Sequence, residues 1–176
     1  MTTTTQDRRL VTGGDPDAAA TIPTEEQFLN AAGASNDYLP GPEIRAIAVA
    51  LIAATPSLRH IAENRLTYLW KRKGGTSGGV AVLGKTISAG GLVRFVTGAE
   101  FVIWLAADNC EGFTNYALEA LVFHELCHVD LPDEHGIQKL RGHDFEAFND
   151  EVATYGAWKQ DLERAKRTFA QLPLFD

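Results

Sequence analysis

Cysteine is scarce in this chain: Cys110 and Cys127 are the only two in 176 residues. That number excludes a disulfide framework and suits a reducing compartment. Long apolar runs are missing too. The longest, Ala46 to Ala54, covers nine positions, well short of the roughly 20 residues that span a bilayer as a helix. The first nine residues, Met1 to Arg9, lack the apolar centre of a secretory signal. The expected location is therefore the cytoplasm, with no membrane partner. Basic charge is also in deficit, with 16 Lys and Arg against 23 Asp and Glu and a formal net charge of −7. Binding along a phosphate backbone needs clustered cations to release counterions. The charge balance argues against nucleic acid, and the short Lys71-Arg72-Lys73 strip reads as a solvated strand end.

What is present is an apolar content of 45%, enough to build one core in a chain of this length. Residues 1–23, with a Thr run, paired Gly and several Asp and Pro, have the composition of a flexible tail. Thr24 before Glu25-Glu26-Gln27 marks a short helix start. Pro42 then opens a core helix in which Ile44, Ile47, Ala48, Leu51 and Ile52 recur at helical spacing until Pro56. Between Asn64 and Thr97 the texture becomes β-rich, and Leu66–Trp70, Val80–Leu83 and Leu92–Val96 read as strands between paired glycines. Glu100–Ala106 reads as a fourth, stronger strand. A helix from Thr114 or Asn115 to Val129 follows. A final long helix is expected over residues 142–168, with Phe145, Phe148, Val152 and Tyr155 forming its apolar stripe.

The chemistry sits on the helix ending near Val129. His124-Glu125-Leu126-Cys127-His128 matches HExxH, a pattern expected on the order of 0.01 times by chance in a shuffled chain of this composition. Residues four apart on a helix differ by about 40° around the axis and about 6 Å along it, so both imidazoles can aim at one ion. Glu125 is offset beside them, placed to take a proton from a water. Ala117 and Ala120, on roughly the same face, leave space above the site. A catalytic zinc site uses three protein ligands and keeps one position open. His143, beyond a turn-rich loop, is the preferred third ligand. His135 and a carboxylate, Glu146 or Glu151, are the competitors, and the spacing of His135 misses the HExxHxxGxxH pattern.

Asp144 and Asp150 are candidates to orient an imidazole, although Asp144 could equally cap the last helix. Trp70, Trp104, Trp158, Tyr155 and Cys127 read as core, and His60 as a surface or helix-end histidine.

The run Phe101–Ala106, the helix Ala117–Val129, and Gly142-His-Asp-Phe-Glu-Ala-Phe148 with Tyr155-Gly-Ala-Trp158 resemble the phage metallopeptidases, which are similar to SprT-like zincins. The resemblance spans roughly residues 40 to 160. It implies an α+β, zincin-like fold: a small antiparallel or mixed sheet of three to four strands packed against the N-terminal core helix, the HExxH helix and a long C-terminal helix. One metallopeptidase domain over residues 24–170 is expected between the tail 1–23 and a C-terminal tail 171–176. The implied roles are Zn2+ held by His124, His128 and His143, with Glu125 as the base in hydrolysis of a peptide or protein substrate. If the chain is phage-encoded, the cytoplasm is that of the bacterial host. Zincins commonly hold an extended peptide along an edge strand, and Glu100–Ala106 is the expected strand. Two other readings are a zincin-like interaction protein with a structural metal and a SprT-like DNA-associated protein.

Overall fold

The computed structural model describes residues 9–31, 37–143, 149–160, 162–163 and 166–167. Its centre is a four-stranded mixed sheet in the order β1-β2-β6-β5. The strands are β1 (Tyr38–Pro40), β2 (Leu66–Lys71), β5 (Gly84–Ser88) and β6 (Phe101–Ala106). β2 and β6 run parallel, from Leu66 opposite Phe101 to Lys71 opposite Ala106. β1 pairs antiparallel with β2, and β5 antiparallel with β6. The short strands β3 (Thr76–Ser77) and β4 (Val80–Ala81) form a separate hairpin.

The uninterrupted apolar text of β6 follows from its place. All six residues from Phe101 to Ala106 are buried, as expected of a strand with a neighbour on each side and both faces covered. β6 is therefore an interior strand, which corrects the expectation that Glu100–Ala106 forms the edge. The edge beside it is β5. Its Gly-Lys-Thr start lacks the alternating apolar signature, so the sequence did not mark it as a strand.

Helices pack over the sheet. α1 (Glu25–Asn30) starts at Thr24, whose backbone N–H donates to the Gln27 side chain at 2.8 Å. α2 (Pro42–Ala54) buries Ile44, Ala48 and Leu51 at spacings of four and three, the inward stripe of an amphipathic helix. α4 (Asn115–Cys127) begins at Thr114, whose hydroxyl accepts from the Ala117 N–H. Every residue of α4 from Leu118 to Cys127 is buried. A helix covered all round must give each polar side chain it carries a partner.

Two further expectations are revised. Leu92–Val96 is not a strand but lies in helix α3 (Gly91–Thr97), closed by Gly98 at φ +72°, whose N–H donates to the Arg94 carbonyl. The local capping geometry overrides the weak β preference of Val and Phe. The C-terminal helix is not one long element. α5 covers Asn149–Tyr155 and stops at Gly156, where φ is +64°, a conformation that ends helices. Phe145 and Phe148 lie outside the described residues, as do residues 1–8 and 171–176 of the expected tails.

Part of the segment read as a tail is laid across the start of α4. Ala20 N–H donates to Phe113 O at 2.9 Å and Asn115 N–H to Ala18 O at 2.9 Å. Further back, Val11 N–H and Thr12 N–H each donate to the Glu119 carboxylate at 3.0 Å, and the Thr12 hydroxyl donates at 2.8 Å. Tyr155 supplies a fourth donor at 3.0 Å. Glu119 is fully buried, and these donors satisfy a carboxylate that α4 carries into the core. Among the described residues no helix is long and apolar enough to cross a membrane. Deleting residues 1–12 removes three of the four donors to Glu119. Thermal or urea denaturation should show a loss of about 3 kcal/mol, in the range for stranding a buried charged group.

Candidate metal centre

Three imidazoles meet at the C-terminal end of α4. His124 lies in its last turn and His128 is its C-cap, while His143 approaches from the segment before α5. The Nε2 of His143 stands 3.1 Å from the Nε2 of His124 and 3.1 Å from that of His128. These three form the one group among the described residues whose ligand atoms cluster in the manner of a metal site. His143 itself carries no helical assignment, and the residues that follow it, 144–148, lie outside the described residues.

The other ring nitrogens of His124 and His128 are engaged. His128 Nδ1 is 2.8 Å from the Arg141 carbonyl. A carbonyl oxygen only accepts, so Nδ1 carries the proton. Burial lowers the His128 pKa to about 4, despite the opposing pull of that hydrogen bond. The ring is thus neutral at neutral pH, with its lone pair on Nε2. His124 Nδ1 is 2.6 Å from Glu151 Oε2. Burial alone would raise Glu151, but the hydrogen bond and charge of His124 outweigh it, helped by the Trp158 indole N–H donating to Oε1, and hold the carboxyl below its usual range.

A single proton on His143 Nε2 could serve one of its two contacts, not both. A cation at the centre satisfies all three nitrogens. Two nitrogens each about 2.0–2.1 Å from a tetrahedral ion stand roughly 3.3–3.4 Å apart, close to the separation found here. The donor set therefore fits a divalent metal of the imidazole-binding kind.

Glu125 sits beside this cluster, buried against the edge strand. The Thr86 hydroxyl on β5 lies 2.8 Å from Glu125 Oε2 and 2.8 Å from its main-chain oxygen. Burial raises the Glu125 pKa to about 7, opposed by the charge of His124 and the Thr86 hydrogen bond. Gly84 passes so close that a Cβ there would fall 2.9 Å from Glu125 Oε1 and 2.6 Å from Leu105 Cδ2. Only glycine lets β5 run this near the carboxylate.

The structure brings together His124, Glu125, His128 and His143. It does not bring His135, which is exposed in the acidic loop 3.6 Å from Glu134. Glu151, weighed as a ligand, instead receives the outer nitrogen of His124. Asp150 is exposed and its carbonyl accepts from Thr154. Asp144 and Glu146 lie outside the described residues. His60 contacts the Val129 carbonyl at 2.9 Å. Trp70 and Trp104 are core, and so are Tyr155 and Cys127. Trp158 packs half-buried against the core, and its indole N–H donates to Glu151. Sequence reasoning missed Thr86, Gly84 and the orienting roles of Glu151 and Arg141. A carboxylate eight residues after His143 was the one available signal, and spacing could not assign it a role.

The histidine triad could hold a metal ion, and a buried glutamate stands next to it in sequence. The chain belongs to a metallopeptidase family: the family model described as "Putative phage metallopeptidase" matches residues 36–166. That span runs from just before β1 past α5 and contains every residue of the centre. No curated protein and no solved structure matches the chain.

Because Glu151 orients the ring of His124, Glu151→Ala should weaken divalent-metal binding about 10–100-fold, measured by competition against a chelating dye. Gly84→Ala should cost about 1–3 kcal/mol in stability as β5 is forced off the carboxylate, read as a lower Tm.

Proposed function

We propose that this chain is a zinc-dependent metallopeptidase that hydrolyses peptide bonds in a peptide or protein substrate in the cytoplasm. His124, His128 and His143 hold the ion and Glu125 is the general base. The observation that carries the proposal is the convergence of three Nε2 atoms with a buried carboxylate alongside. A bound zinc ion would supply an acidified water and polarise the scissile carbonyl.

The remaining work falls to the chain. Glu125 accepts the proton of the attacking water on its carboxylate and delivers it to the departing amine. Thr86 and Gly84 hold the carboxylate in line, Thr86 by its hydroxyl and Gly84 by leaving room. Glu151 and the Arg141 carbonyl keep the rings of His124 and His128 turned inward. β5, the edge strand next to Glu125, has the position to accept an extended peptide by backbone hydrogen bonds.

A purely structural metal would have no use for a buried glutamate at this place and would usually be closed by four ligands. The acidic balance of the chain speaks against a DNA-associated role. Both facts favour the peptidase.

The test is metal analysis beside turnover on a diverse peptide pool. Glu125→Gln should retain zinc and lose about 10²–10⁴-fold in kcat. His143→Ala should lose zinc occupancy, and chelation of the wild type should abolish cleavage until zinc is restored. Full zinc content in His143→Ala would remove the third ligand, and turnover surviving in Glu125→Gln would remove the base.

A further inference from the structure

Beside the metal centre a cavity of about 750 Å3 runs along α4 toward its N-terminal end, with His124 and Glu125 themselves in its wall. That volume falls within the roughly 300–1,000 Å3 of sites that bind small molecules. Val80 and Leu83 line one side, Phe113, Ala117 and Leu121 the other, and Trp158 closes part of it. Apart from His124 and Glu125, the polar side chains among its described lining residues are Lys159 and Gln160.

Ala117 precedes His124 by seven positions and lies within about 20° of it around the helix axis. Its small side chain leaves room in the cavity about two helical turns from His124. Because Gly156 breaks the C-terminal helix, the chain after it returns Trp158 to the wall, where the indole N–H is tied to Glu151. One bonded network therefore orients His124 and sets the shape of the cavity.

We infer that this cavity is a specificity pocket that receives a large apolar side chain of the substrate, from one residue flanking the cleaved bond. The inference rests on the peptidase reading of the same centre. The pocket is apolar where a side chain would enter, so burying a leucine or an aromatic ring is favourable while glycine leaves the space unfilled. A single methylene in an apolar pocket can be worth about 10–200-fold in kcat/KM, so leucine should exceed alanine by at least ~10-fold at this position.

The experiment uses the full chain loaded with zinc and a diverse peptide pool, with cleavage sites mapped by mass spectrometry. Wild type should show Leu, Met, Phe, Tyr or Trp at one flanking position. Ala117→Phe, which fills the cavity from a partly exposed site, should move that preference to Gly, Ala or Ser at unchanged zinc content. Should Ala117→Phe fail to fold, Leu83→Trp narrows the opposite wall and should act alike. Binding gives a second readout: calorimetry on Glu125→Gln should show a Gly-Ser decapeptide with one central Leu bound at least ~10-fold tighter than the same peptide with Gly. Cleavage without apolar enrichment, enrichment untouched by the filling variant, or equal binding of the two decapeptides would overturn the pocket and leave the peptidase standing. No cleavage of any peptide by the zinc-loaded wild type would instead overturn the peptidase reading, and the pocket with it.

Discussion

Two imidazole nitrogens, those of His124 and His128, each held 3.1 Å from a third on His143, make an arrangement that neutral rings do not adopt unaided. Each ring has one pole turned toward the cluster, and lone pairs brought together repel unless a cation lies between them. In His124 and His128 the choice of pole is made elsewhere, by a carboxylate and a carbonyl that engage the Nδ1 atoms. The centre is thus defined as much by what sits behind the histidines as by the histidines themselves.

The same logic runs along α4. A helix buried on all sides gains apolar contact over its whole circumference, and every polar group on it must then be answered. Glu119 is answered by Val11, Thr12 and Tyr155, Glu125 by Thr86, and His124 by Glu151. Those partners come from the N-terminal segment, the edge strand and α5, so the elements surrounding α4 are held to it by its polar residues. Tyr155 and Glu151 stand one turn apart on α5, and through them Glu119 and His124 fasten the same short helix.

That coupling explains where sequence reading worked and where it did not. Spacing on one helix is local, so the pairing of His124 with His128 and the offset of Glu125 could be read directly. α2 was legible because Pro42 and Pro56 bracket an apolar stripe. The edge strand was not, since Gly84, Lys85 and Thr86 carry no alternation. Their place depends on pairing with β6 and on the glycine that lets them approach Glu125. Leu92–Val96 misled for the related reason that β-branched residues mark strands only weakly, and the glycine cap at Gly98 decided for helix.

By itself the sequence determined the α+β class of the core and the residue types that could hold a metal, because both follow from composition and from periodicity within single elements. Only the tertiary structure decided that His143 rather than His135 meets the other two rings, that Glu151 stands behind His124, and that β5 rather than β6 forms the edge beside Glu125. Those choices join residues distant along the chain, and such contacts arise from packing whole elements against one another, which no local pattern encodes.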